Sequence, residues 1–178
     1  MTLNIRWLAP AAIIAVAATP GVAKQYMSEE QARALIFAQA QEFISVPGSF
    51  SAEQIKKLEE FGVDIRSAHH KVWKAQAGGQ LLGWYFVDQV IGKYELITYA
   101  AGINADGTFR QFQIIDYREA YGYQVRELKW RDQFVGKTVA DPLKLGVDIA
   151  NISGATLSCR HMADGIKRLL FLQQNVLR

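Results

Sequence analysis

The chain of 178 residues carries one cysteine, four prolines and three histidines, and each scarcity closes off a class of protein. A lone Cys159 forms no internal disulfide, so stability has to come from packing rather than cross-links. No CxxCH occurs, which removes covalently attached haem. His69 and His70 are adjacent and would point to opposite faces of a strand, and the Cys159/His161 pair lacks the further ligands of a zinc site. There is no GxGxxG, and the "GKT" at 136–138 is not a P-loop, because Arg131 stands where that pattern needs its first glycine. Asp88, Glu95, Asp116 and Glu119 lie on or near strand-like segments, but their spacing singles out no acid/base pair. A formal charge of +3, from 20 basic and 17 acidic residues, is far from the basic excess of a nucleic-acid binder, so no nucleic-acid partner is expected.

What the chain has is a globular composition, 50% hydrophobic and 21% charged, at a length suited to one well-filled domain. Its first residues stand apart. Arg6 precedes the apolar run "WLAPAAIIAVAA", and small residues follow at Gly21 and Ala23. This reads as an export signal over residues 1–23 with cleavage after Ala23, and it predicts a periplasmic or cell-envelope address. The run is shorter than the roughly 20 residues of a spanning helix; an uncleaved anchor starting near Trp7 is the alternative.

Beyond the signal, residues 24–70 read as a helical preface. "SEEQARALIFAQAQEF" opens with Ser28 and Gln31 in capping-box spacing and sets Ala32, Leu35, Ile36 and Phe43 at helical intervals. After Pro47-Gly48, Ser51 and Gln54 repeat that spacing before a short helix ending at Gly62. From Lys71 the period changes to alternation in "KVWKAQ", "LLGWYFVDQVI", "ELITYAAGI" and "FRQFQIIDY", with turn residues between them. Short turns favour antiparallel neighbours, and Asp106-Gly107 is the strongest hairpin signal. Leu128, Trp130 and Phe134 suggest a short helix or turn ending at Gly136, and Met162, Ile166, Leu169, Leu170 and Val176 a closing helix. Helices first, a strand meander next and a helix last predict an α+β fold, with a main domain over 71–178.

The segment "NISGATLSCRH", 151–161, begins that closing helix with three hydroxyls, Ser153, Thr156 and Ser158, around Gly154 and Ala155. Two readings compete. Ser153 or Ser158 caps the helix in the ordinary way, or the free amides at a helix start, approached past a glycine, receive a phosphate. Cys159, beside this turn, is either a thiol activated by the helix start or a buried inert one.

"SGAT", a further hydroxyl two residues on and an amphipathic helix resemble the flavinylation motif of the FMN-binding domain family, which includes the C subunit of the sodium-translocating NADH:quinone reductase, the G subunit of the Rnf complex and the FMN domain of NosR-type regulators. The likeness extends upstream to "IIDYREAYGYQVRELKWRDQFVGK" and the "ADGTFRQFQI" hairpin, and covers roughly residues 71 to 172. It implies FMN joined by a phosphoester to Thr156, attached by a separate Mg²⁺-dependent FAD:protein FMN transferase, with Ser153, Gly154, Ala155 and Ser158 around the phosphate and Ser158 the fallback attachment site. It places Tyr117, Glu119, Tyr121, Gly122 and Tyr123 near the flavin ring and makes Lys137 a candidate cation for the phosphate. Two departures stand out: Ala150 replaces a frequent aspartate, with Asp148 two residues further upstream, and "AYGYQV" replaces a "TPGLG"-like loop.

The implied function is an exported electron carrier, more an electron-transfer protein than a free-standing enzyme, whose partners are the transferase and membrane electron-transfer proteins. The rivals are an exported ligand-binding or sensory domain of the same fold without covalent flavin, and a free-standing flavin reductase, which the missing dinucleotide fingerprint disfavours.

Overall fold

The structure is a computed structural model that describes residues 24–46, 52–60, 71–119 and 122–177. The proposed signal, His69, His70, Pro47-Gly48, Ser51, Gly62 and Tyr121 therefore lie outside the described residues.

The alternating segments become β3 (Lys71–Ala77), β4 (Gln80–Ile91), β5 (Leu96–Asn104) and β6 (Phe109–Tyr117), each antiparallel to the next. Two pieces of the N-terminal region, β1 (Lys24–Gln25) and β2 (Glu42–Val46), pair with β6 and β3. The result is a six-stranded antiparallel sheet in the order β1-β6-β5-β4-β3-β2. The strands are deeply buried because both faces are covered. On β5, Ile97, Tyr99, Ala101 and Ile103 enter one core and Ala100 the other, as a period of two requires.

One face is covered by α1 (Glu29–Ile36), whose capping box forms as the spacing predicts: Ser28 accepts from the Gln31 amide and Gln31 from the Ser28 amide. The sequence pattern carries this helix on to Phe43, but it stops at Ile36. The cause is tertiary. Arg110 Nε donates to the Ile36 carbonyl at 2.6 Å and Gln111 Nε2 to the Leu35 carbonyl at 2.8 Å, so β6 side chains take acceptors that a further helical turn would need. Phe37 is buried against the sheet, and Phe43 lies instead in edge strand β2, paired with Ala75. The preface thus supplies two helices, α1 and α2 (Ala52–Glu60), together with two edge strands.

The other face is covered by α4 (Thr156–Leu172), which continues as a π-helical turn over Gln173–Leu177. Met162, Ile166, Leu169 and Leu170, all buried, form its inner stripe. Between β6 and α4 the chain makes a 3₁₀ turn at Tyr123–Arg126, the short α3 (Leu128–Arg131) and a second 3₁₀ turn at Asp132–Phe134. Trp130 and Phe134 pack edge-on, 5.1 Å between ring centroids, and both meet Phe112 of the sheet. No helix among the described residues is long and apolar enough to cross a membrane.

Candidate functional site

Helix α4 begins at Thr156, with Ala155 as the N-cap residue. No side chain caps it, although three hydroxyls lie within a few residues, and no acidic residue occupies its first turn. The ordinary reading of the hydroxyl turn, a serine cap, is therefore not realised. The amide end of a 17-residue helix carries a partial positive charge with no carboxylate of its own to answer it. Gly154 supplies the turn into it at φ +81°, and no atom lies within 4 Å of where a Cβ would stand, so its side is open to an approaching group.

The three hydroxyls differ sharply. Ser153 and Thr156 are exposed; Ser158 is 3% exposed and its side chain is hydrogen-bonded to that of Tyr117. Thr156 Oγ1 accepts a hydrogen bond from Asn151 Nδ2 at 3.0 Å. In the sequence, the signal for Asn151 is an amide side chain five residues before the threonine. Cys159 is fully buried, and burial pushes its thiol up, which makes it the inert thiol of the two readings.

The tyrosine loop reaches the same turn. Gly122, at φ +83°, comes so near that a Cβ there would stand 2.8 Å from the Tyr117 hydroxyl and 2.9 Å from Ala155 Cβ. Only glycine fits both the conformation and the space. Tyr117 is 3% exposed, and burial raises its phenol; it supports the turn from beneath and offers no open face. Tyr123 is 56% exposed. Glu119 turns to the β4–β5 loop, where its carboxylate accepts from the amides of Tyr94 and Glu95. From the other side His161 Nδ1 lies 2.7 Å from the Ile91 carbonyl, a geometry that requires the proton on Nδ1. Tyr94 of this loop is exposed.

Lys137, expected near the phosphate, is engaged elsewhere: its ammonium is 3.0 Å from Asp148 and 3.9 Å from Asp141. Asp148 also accepts from the amides of Leu143 and Lys144. Burial works against its charge, but these amides and Lys137 prevail and hold the carboxyl below its ordinary value. Asp148 thus organises the loop before the motif. Ala150 is fixed through its backbone alone, its carbonyl accepting from Trp130 Nε1 and its amide donating to Gln133 Oε1.

Helix α4 is anchored by its middle. Asp88 of β4, 1% exposed, is ion-paired with Arg168 Nη2 and accepts from the Tyr99 hydroxyl at 2.8 Å. Gly165 permits this contact, since a Cβ there would lie 2.7 Å from the Tyr99 oxygen. Among the described residues no cluster of three metal-ligating side chains occurs.

The model of the FMN-binding domain family matches residues 92–170, from the β4–β5 loop through most of α4. Every described element of the turn just described falls inside that span. No curated protein matches the chain.

Proposed function

From a chain whose residues 92–170 match the model of the FMN-binding domain family, we propose that it is an exported electron carrier whose FMN is attached by a phosphoester to Thr156. The observation that carries this reading is the start of α4: an exposed threonine hydroxyl at the first position of a long helix that no side chain caps. A phosphodiester on Thr156 keeps one negative charge, and the open amides and the positive end of α4 favour it there. Gly154 leaves the approach clear, and Asn151 fixes the Thr156 oxygen. Buried Ser158 is the poorer acceptor.

When bound, FMN supplies reversible uptake of electrons; the protein supplies attachment, orientation and tuning. The attachment balances with FAD as donor: the threonine oxygen displaces AMP from the pyrophosphate, and the FMN phosphate stays on Thr156. A dedicated FMN transferase performs this step. Export by the segment over 1–23 places the carrier in the periplasm or cell envelope, where membrane flavin or haem reductases are partners of fitting chemistry and a tether prevents loss of the cofactor by diffusion.

Thr156→Ala tests the reading. Coexpressed with an FMN transferase, the wild-type chain should retain flavin fluorescence in a denaturing gel and the variant should show none, with circular dichroism unchanged. Ala150 favours a second reading, a binding domain of the same fold without covalent flavin; a colourless wild-type chain beside an active control substrate would establish it.

A further inference from the structure

The loop before the attachment turn and the middle of α4 face each other across a groove of about 390 Å³. No residue of the turn at 151–156 lines it, so whatever it holds is separate from the group on Thr156. Its walls are fixed from within the chain. The Asp148 carboxylate accepts from the Leu143 and Lys144 amides, and the Lys144 carbonyl accepts from the amides of Val147, Asp148 and Ile149. These bonds hold Leu143, the one described non-glycine residue with positive φ, at 48°, a conformation that costs about 1 kcal/mol or more and needs its surroundings to keep it. From the helix side Lys167 Nζ donates to the Pro142 carbonyl at 3.3 Å and spans from one wall to the other. The groove is therefore formed before any ligand arrives, as small-molecule sites usually are.

Its lining has two characters. Leu143, Leu145 and Ala163 are apolar, while Lys144, Arg160 and Lys167 bring three cations to it against a single carboxylate, Asp164. Lys144 and Arg160 are exposed, and no carboxylate among the described residues pairs with either. The loop's other carboxylates are engaged: Asp148 is paired with Lys137, and Asp141 accepts from the Thr138 amide and hydroxyl. An inorganic anion would answer the cations and leave the apolar lining wet, whereas a neutral ring would cover the lining and leave the cations unanswered. We propose that this groove is a second ligand site, for a small organic anion whose apolar body packs on Leu143, Leu145 and Ala163 and whose carboxylate or sulfonate is met by Lys144 and Arg160. Its volume lies at the small end of the range for ligand pockets, roughly 300–1,000 Å³, which limits the body to one or two rings. The site goes beyond the attachment of FMN and does not depend on it.

The full chain, expressed without an FMN transferase, provides the test. Isothermal titration compares three probes: 2-naphthoate, which has both ring and charge; 2-naphthalenemethanol, which keeps the ring alone; and acetate, which keeps the charge alone. The wild type should bind naphthoate saturably, one to one, and the other two far more weakly. One unit charge a few ångströms away in water is worth about fivefold in affinity. The Lys144→Gln/Arg160→Gln variant should therefore bind naphthoate about twenty-fivefold more weakly, and the charge-retaining Lys144→Arg/Arg160→Lys variant should follow the wild type. Asp164→Asn, which removes the opposing carboxylate, should bind about fivefold more tightly. No saturable naphthoate binding, equal binding of the alcohol, or an unmoved affinity in the glutamine variant would overturn the site. A hexaglutamate peptide that binds the wild type where naphthoate does not would overturn it in favour of a surface for an acidic protein. With no flavin present, none of these results bears on Thr156.

Discussion

The two helices that sandwich the sheet begin in opposite ways. Helix α1 starts with a complete capping box, Ser28 and Gln31 exchanging hydrogen bonds, the arrangement local physics favours. Helix α4 is twice as long and has more hydroxyls near its start, yet no side chain caps it, and its N-cap is an alanine. The difference teaches where stability and function part. The start of α1 serves the fold, whereas the start of α4 is left open and the helix is held by its middle, through Asp88, Tyr99 and Arg168 and through an inner stripe packed on the sheet.

The largest effect should come from breaking that anchor. Arg168→Met leaves Asp88 buried without its cation, which costs about 3–5 kcal/mol; urea unfolding of the apoprotein should show the loss. Replacing both residues at once, Asp88→Leu with Arg168→Met, should recover much of it, because the uncompensated charge is gone. Next in size, Ser28→Ala should cost about 1 kcal/mol by removing the cap of α1. Ser153→Ala sharpens the comparison: it caps nothing, so its cost should stay within about 0.5 kcal/mol in the same assay. A Ser153 cost matching that of Ser28 would mean the start of α4 is capped after all.

The smallest effect is confined to acid. The Asp148 carboxyl is held below its ordinary value in the folded chain, so its contribution is fully present above the unfolded value of about 4 and is lost as pH falls through the lower folded value. Asp148→Asn should flatten that part of the acid limb of stability and leave the neutral range with a smaller, pH-independent change. An acid limb identical to the wild type would show that the loop before the motif does not depend on this carboxylate.

Much of this was legible in the sequence because it was local. The four meander strands, the α1 cap, the short turn through Trp130 and Phe134 and the closing helix all follow from period and capping signals, and the α+β class follows from their order. The family resemblance, read from "SGAT" and the upstream segment over roughly residues 71 to 172, contains the matched span 92–170, which begins only after β4. What the pattern misplaced was decided by distant partners. Phe43 sits at helical spacing but ends in a strand because Arg110 and Gln111, far along the chain, take the last carbonyls of α1. Lys137 follows the family's "GK" element but is claimed by Asp148. Asn151 stands five residues before Thr156, and only the closing of the turn onto α4 sets its amide against the threonine oxygen. That no side chain caps α4 was equally hidden, since Ser153 and Ser158 stand within a few residues of its first turn and neither caps it.

The most direct measurement is peptide mapping by mass spectrometry of the wild-type chain, coexpressed with an FMN transferase, over residues 148–168. The account predicts a single added mass of FMN less water, localised on Thr156. An unmodified peptide beside a flavinylated control, or the flavin found on Ser153 or Ser158 instead, would contradict it.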